Sequence, residues 1–388
     1  MKIALVNNLY GATKRGGAEL AVEAQEAILR RAGHKVVVVT TRPWGSGLPR
    51  IEDGIYRVGG LAGLYYHLGR LPIFLRVFWH LEEWLNLWRP WYLAMRLALT
   101  GCELLICHNL TGVSLWLPRM AKNFHMKSIV VVHDIQYLHP SGLLNIGHEK
   151  KIESFFAKLY QKFIKFNFQP VKKIIFPSTW LRDLSLEKNI CQPDQSLLLP
   201  NSLFNFSDKS ESVKVIKKER QLLFVGQLET HKGIEQLLEA FSMIESDYKL
   251  IVIGGGTLEK KLTDKYSANK KIIFRGKVSS NEVHLEMLRS ACLVVPSICY
   301  ENQPTVILEA FATGLAVLGS NFGGVAELIA DGAGIQFDPR EVQAIKNCIT
   351  TFISMSEIDQ QAIISTGTKK YIQLMENNYE KTFISLLN

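Results

Sequence analysis

The sequence predicts an α/β protein made of two consecutive doubly wound units, and three observations point there. Short β-branched runs alternate with longer helical stretches through the first two hundred residues, and the alternation starts again further on. With 388 residues, 47% of them hydrophobic, the chain is long for one core and suited to two. Between the two series lies FNFSDKSESVKVIKKER, polar and rich in Ser and Lys, which reads as a linker and places the boundary near Ser202–Glu219.

The first series runs KIALVN, a helix over Gly17–Arg31, then KVVVVTT, IYRV, ELLICHN, KSIVVVHD, KKIIFPS and SLLLPN. Apolar runs of this kind, without alternation, suit parallel strands covered on both faces. The second series is RQLLFVG, YKLIVIGGG, KKIIFRG, CLVVPS and LAVLGS, with helices expected at Gly233–Ile244, Asn281–Ser290 and Gln303–Thr313. Two segments stand outside the alternation. Leu64–Leu99 is packed with Trp, Leu and Arg, but its charges interrupt every stretch long enough to cross a bilayer. Lys150–Phe168 sets Phe155, Phe156, Tyr160, Phe163 and Ile164 at helical spacing among lysines. Both segments fit amphipathic helices packed on the sheet, and both fit helices that rest on a membrane surface.

The net charge of +9 is uneven: residues 1–200 carry 25 Lys and Arg against 14 Asp and Glu, whereas 201–388 carry 20 against 22. A basic first half can serve an anionic membrane surface or a phosphorylated ligand. No zinc finger, aromatic ribonucleoprotein box or dense Arg-rich helix accompanies it, so nucleic acid is not an expected partner. The six cysteines show no CxxC spacing and read as reduced core residues. Met1 leads directly into a strand-like run without an apolar leader, which points to the cytoplasm, with peripheral attachment at the inner face of the cell membrane as a further expectation.

In doubly wound sheets ligands bind where strands end and helices begin. After the first strand, Arg15, Gly16 and Gly17 precede a helix, where backbone amides and one cation can meet a phosphate or sugar. The loop is not GxGxxG, and KVVVVTT ends without the ribose-binding Asp, which disfavours a nicotinamide dehydrogenase. After KSIVVV comes His133, able to donate to a sugar hydroxyl or to act as a structural histidine, followed by Asp134 without the second carboxylate of a metal clamp. In VGQLETHKG, Lys232 stands where an ammonium can neutralise a diphosphate leaving group, and Gly233 keeps the helix entrance open. In PSICYENQPTVILEA, Glu301 sits in the loop after a buried strand, followed by Asn302, Gln303 and Pro304, with Pro304 at the first helical position. Glu309 falls about one and a half turns into that helix, able to accept from vicinal ribose hydroxyls, and the amides of Thr305 and Val306 point toward a phosphate.

In order and spacing, GGAE, HNLTG, HD, PNS, VGQLETHKG, the VIGGG loop with Gly254, and PS…ENQPTVILEA…G resemble the retaining GT-B glycosyltransferases of family 4 over most of the chain. The resemblance implies two Rossmann-like domains facing a central cleft: an acceptor-binding domain at 1–203, a nucleotide-sugar-binding domain at 204–370, and a C-terminal helix at 371–388 crossing back to the first. It implies that Glu301 contacts the donor sugar, Glu309 the nucleotide ribose, Lys232 the diphosphate and His133 the donor sugar. Gln227 departs from the family's Arg, which leaves one cationic contact to be made elsewhere, with His231 or Arg15 as candidates. The activity implied is metal-independent hexosyl transfer from a nucleoside-diphosphate sugar, without a cofactor, to a saccharide or lipid-linked acceptor in surface polysaccharide or glycolipid biosynthesis. A nucleotide-sugar epimerase of the same fold and a non-catalytic sugar- or lipid-binding partner are the alternatives.

Overall fold

The computed structural model describes residues 1–388 apart from 14–15, 202–218, 377–378 and 388. Arg15 and nearly all of the expected linker lie outside the described residues. The chain forms two compact units: Met1–Leu143 with Lys150–Ser202 and Asn378–Asn388, and Leu144–Glu149 with Leu203–Asn377.

The first unit has eight strands, β1 (Lys2–Val6), β2 (Lys35–Thr41), β3 (Ile51–Glu52), β4 (Ile55–Val58), β5 (Leu104–Cys107), β6 (Lys127–Val131), β7 (Lys173–Phe176) and β8 (Ser196–Leu198), in the order β3-β4-β2-β1-β5-β6-β7-β8. All neighbours are parallel except β3 and β4. Ile3 lies beside Val36 on one side and Leu104 on the other. Consecutive residues Ile3, Ala4, Leu5 and Val6 are all fully buried, which explains why the strand reads as a continuous apolar run. Helix Gly17–Arg31 covers this sheet with Ala21, Val22, Gln25, Ile28 and Leu29, spaced three and four apart. Tyr379 and Phe383 of the terminal helix Tyr379–Ser385 are also buried in this unit, where Gln25 Nε2 donates to the Tyr379 hydroxyl at 2.8 Å.

The aromatic segment resolves into a 3₁₀ turn, Gly60–Arg70, and the helices Ile73–Leu85 and Trp88–Leu99. The two helices part at Asn86, whose side-chain oxygen accepts from Arg89 N at 2.9 Å and so caps the second one. Among the described residues no helix is long and apolar enough to cross a membrane.

The second unit has six parallel strands, β9 (Gln221–Val225), β10 (Lys249–Ile253), β11 (Ile272–Gly276), β12 (Cys292–Val295), β13 (Ala316–Ser320) and β14 (Ile335–Phe337), in the order β11-β10-β9-β12-β13-β14. Alternate residues feed two cores. Leu222, Phe224, Leu250, Val252 and Val294 pack on one face, and Leu223, Ile251, Ile253, Leu293 and Val295 on the other. At about 1.5–3 kcal/mol for each buried aliphatic side chain, both faces hold the sheet. Each unit is thus a Rossmann-like sheet, with strand order reversing at β1 and β5 in one and at β9 and β12 in the other. All six cysteines are buried free thiols.

Candidate active site

The second unit brings Lys232 and Glu301 together at the carboxyl ends of β9 and β12, where its strand order reverses. The loop after β9 ends in the turn Thr230–Lys232, and Gly233 (φ +67°) opens helix Ile234–Ser242. A Cβ on Gly233 would stand 1.8 Å from the Pro296 carbonyl oxygen, so only glycine lets this helix entrance lie against the end of β12. Ile298 N donates to His231 O at 3.0 Å and joins the two loops. Lys232 Nζ then lies 2.9 Å from Glu301 Oε2, and the Ser297 hydroxyl donates to the other carboxylate oxygen. Burial alone would push Glu301 up, but the Lys232 ammonium and the hydrogen bonds from Lys232 and Ser297 hold its carboxyl below the ordinary value. Burial likewise pulls Lys232 down, and the Glu301 charge more than reverses it. The pair is ionised at neutral pH.

Glu309 is in a different state. It sits in helix Thr305–Ala312, half-buried; its main-chain carbonyl accepts from Thr313, and its carboxyl group makes no hydrogen bond or ion pair among the described residues. Burial raises its carboxyl to about 7. Two glutamates eight residues apart therefore differ in chemistry: one is already neutralised by a cation, and the other holds acceptor capacity unused.

Pro304 (φ −63°, ψ 114°) is the N-cap and not the first helical residue, because its extended ψ keeps it outside the helix by one position. The amides of Thr305 and Val306 are first-turn groups with no intrahelical acceptor. Asn302 and Gln303 are buried, and Gly324 N donates to Glu301 O at 2.7 Å, so the peptide that carries Glu301 is held by the start of helix Gly323–Ile329. Gly254 (φ +137°) lies at the end of β10, where a Cβ would meet Gly226 O at 1.8 Å. The loops after β9 and β10 thus touch backbone to backbone, and Gln227 is exposed beside them.

A strap completes the loop. Residues Leu144–Glu149 belong to this second unit. Asn145 and Cys299 form an antiparallel bridge, Tyr300 N donates to Leu144 O at 2.8 Å and Ile146 N to Ile298 O at 3.0 Å. The Tyr300 hydroxyl donates to Glu149 Oε1 at 2.9 Å. Neither Ser297 nor this strap was a predicted site element. Ser297 stands in the quoted PS pair, whereas the strap leaves no local signal.

In the first unit, His133 follows β6 and its Nε2 lies 2.8 Å from Nδ1 of His108, which follows β5. The rings stack with an interplanar angle of 12°. Burial lowers His133 to about 4 and pulls His108 well below its ordinary value, so at neutral pH both rings are uncharged and one proton sits between the facing nitrogens. Asp134 caps the turn Ile135–Tyr137, accepting from Gln136 N at 2.7 Å, a structural role. Gly17 begins helix Gly17–Arg31, while Gly16 N donates to Glu19 Oε2 at 2.7 Å. The Gly16 amide is therefore already occupied, and the next amides belong to the helix's first turn, which has no intrahelical acceptors.

Residues 15–202 match the family model described as Glycosyltransferase Family 4, and residues 205–370 match Glycosyl transferases group 1. The chain belongs to the family 4 glycosyltransferases. Among its relatives is the provisionally named teichuronic acid biosynthesis glycosyltransferase TuaC of Bacillus subtilis, 23% identical over 91% of this chain and 89% of that protein. Glycosyltransferase MJ1607 of Methanocaldococcus jannaschii, itself uncharacterised, is 25% identical over 85% of this chain and 83% of its own. Among solved structures, sucrose-phosphate synthase from Thermosynechococcus elongatus has a TM-score of 0.70 at 18% identity, covering 99% of both chains. Anabaena HepE in complex with UDP-glucose has a TM-score of 0.67 at 17% identity, covering 99% of this chain and 100% of that one. The fold of this glycosyltransferase is GT-B, built of two Rossmann-like units.

The strap gives a first expected result for this glycosyltransferase. Tyr300→Phe removes one exposed hydrogen bond, worth about 1 kcal/mol, from the loop that carries Glu301. It should lower kcat by about fivefold at most and leave the melting temperature nearly unchanged; steady-state kinetics at saturating substrate measure it.

Proposed function

We propose that this glycosyltransferase moves a hexosyl group from a nucleoside-diphosphate sugar to a saccharide or lipid-linked acceptor, with retention at the anomeric carbon and without a metal. The observation that carries the reading is the ionised Lys232–Glu301 pair at the ends of β9 and β12, with the unpartnered Glu309 on the helix that follows. In this reading the second unit, Leu144–Glu149 with Leu203–Asn377, holds the nucleotide-sugar, and the first unit, to which the chain returns at 378–388, takes the acceptor.

In the free protein Lys232 and Glu301 hold each other's charge. A diphosphate offers Lys232 a stronger anion, and the first-turn amides at Thr305 and Val306 add the positive end of a helix. Glu301, released from the ammonium, can accept from hydroxyls of the donor sugar. Glu309 can accept two hydrogen bonds from a ribose diol, with Asn302, Gln303 and Pro304 shaping the helix entrance and Gly254 the neighbouring loop. His133, neutral and paired with His108, is the first unit's candidate for a contact with a sugar hydroxyl. The acceptor oxygen bonds to the anomeric carbon as the bond from that carbon to the phosphate oxygen breaks. The acceptor proton goes to the departing nucleoside diphosphate, so no protein nucleophile is required. Catalysis is then positioning and charge stabilisation.

Relatives and fold neighbours support this assignment by name: TuaC in teichuronic acid biosynthesis, and HepE with UDP-glucose. The basic first half suits an acceptor carried on an anionic membrane surface, and surface polysaccharide or glycolipid biosynthesis is the setting that fits. The test is a panel of nucleotide-sugars followed by thermal shift and by nucleoside diphosphate release with EDTA present. One donor should raise the melting temperature and release its diphosphate regardless of EDTA, with the product's anomeric configuration that of the donor. An isomeric nucleotide-sugar as product would make the protein an epimerase, and EDTA-sensitive release would remove metal independence.

A further inference from the structure

Helix Ile73–Leu85 is turned inside out. A surface helix ordinarily faces its apolar stripe to the core and its charges to water. Here Ile73, Phe74, Val77, Phe78, Leu81 and Leu85 are exposed by 47–76%. At 100° per residue they fall within an arc of about 140°. The opposite side carries Trp79 and Glu83, each 2% exposed, with Arg76 and His80 half-buried. Two of the inner polar groups are engaged: Trp79 Nε1 donates to Leu61 O at 2.7 Å, and Glu83 Oε1 accepts from Gly112 N at 2.5 Å. The helix is therefore anchored by its polar side and presents its apolar side outward.

The surface continues beyond this helix. Trp84 stacks on Tyr160 and Phe163 of helix Phe155–Phe168, with ring centroids 5.5 Å away in both cases. That helix exposes Phe155, Phe156, Leu159 and Phe166, interleaved with exposed Lys158, Lys162 and Lys165. Helix Trp88–Leu99 adds exposed Trp88, Tyr92 and Arg96. Glu82 is paired with Arg89, and Glu153 with Lys188 and, at 3.9 Å, with Lys158. An extended apolar face with interspersed cations is rare on a protein that stays free in solution. A second copy packed by two-fold symmetry would set these lysines against one another, whereas anionic headgroups neutralise them.

We infer that the outer face of helix Ile73–Leu85, flanked by the lysines of helix Phe155–Phe168, docks on an anionic lipid bilayer, and that Glu83 carries this docking to the loop after β5. The inference deepens the lipid-linked acceptor reading and rests on it. Glu83 holds Gly112 at the end of the His108–Gly112 loop, which begins with the histidine paired to His133. A bilayer that fixes the helix also fixes the loop.

The test compares wild type with Phe74→Ser/Phe78→Ser and with Lys158→Glu/Lys162→Glu. Trp84 is left alone, because its ring packs on Tyr160 and Phe163 and its replacement would disturb the fold. Cosedimentation with phosphatidylcholine–phosphatidylglycerol vesicles should show binding that added salt weakens, and either double variant should bind at least about tenfold more weakly. Amide exchange at 109–112 should slow when wild type meets these vesicles. The inference is overturned by unchanged binding in both variants, by equal binding to phosphatidylcholine alone, or by unchanged exchange at 109–112. It also fails if light scattering finds a dimer that Phe74→Ser/Phe78→Ser dissociates, since the face would then belong to a second copy. Nucleotide thermal shift reads the transferase assignment separately: vesicle binding without nucleotide binding upholds the surface and sinks the other reading.

Discussion

Lys232→Ala should lower kcat by about a hundred- to a thousandfold, the usual loss when one preorganised group facing developing charge is removed. The same change should destabilise the free protein. Lys232 and Glu301 are 23% and 15% exposed, so removing the ammonium leaves a largely dehydrated carboxylate without its counter-charge. Breaking a fully buried pair costs about 3–5 kcal/mol, and the residual exposure here reduces that to about 2 kcal/mol. Glu301→Gln keeps the shape and the hydrogen-bonding end, yet should lose comparable activity, because a neutral amide accepts weakly from sugar hydroxyls. The double variant Lys232→Met/Glu301→Gln separates the two effects. Its melting temperature should recover relative to Lys232→Ala while turnover stays absent. Turnover within tenfold of wild type in Lys232→Ala would mean that the pair is a structural ion pair only.

Glu309→Gln should act in opposite directions on stability and on ligand binding. The Glu309 carboxyl is raised from 4.5 to about 7 by burial. Between those values the folded protein holds a proton that the unfolded chain has released, so the contribution to stability is present at low pH and is lost as pH rises through about 7. Above that, an ionised carboxylate stands half-buried without a partner. The wild-type melting temperature should therefore fall between about pH 4.5 and about pH 7 and level off above that, while Glu309→Gln falls less and is the more stable protein at the upper end. A nucleotide reverses the order. Its ribose hydroxyls supply the missing donors to the ionised form, so wild-type affinity should rise over the same interval. Glu309→Gln should bind about tenfold or more weakly with no such slope, since hydrogen bonds to a charged group contribute about 1.5–3 kcal/mol. A flat wild-type affinity profile, or a variant that binds equally well, would remove Glu309 from the nucleotide site. Calorimetric titration at several pH values decides between them.

Much of this site was legible because its parts are local. A buried strand, a short loop and a Pro-started helix fix Glu301 and Glu309 within a dozen residues, and Lys232 and Gly233 sit at the mouth of a second such unit. Helix Gly17–Arg31 was legible from its Gly-Gly start and its 3.6-residue spacing, and the structure gives it the same limits. The short strands β3 and β14 were missed, because two or three residues carry no period to read. The different states of the two glutamates were also out of reach, since burial and the presence of a counter-ion come from tertiary packing. The aromatic segment shows the same limit. Its composition announced a surface, but aromatic residues stand on both the inner and the outer side of helix Ile73–Leu85, so residue type alone does not reveal which of them face outward. Trp79 and Trp84 turned inward while Phe74 and Phe78 did not.

The strap Leu144–Glu149 bears on how such a protein can be divided or inherited. The chain leaves the first unit after Leu143, lends six residues to the edge of the Glu301 loop, and returns at Lys150. A gene fragment that begins at the linker carries every motif residue of the second unit and still lacks the main-chain partners of Ile298 and Tyr300. Exchange of whole halves between relatives therefore has to match a six-residue edge encoded far upstream. Such chimaeras should fail first in the order of one loop, before either core is affected.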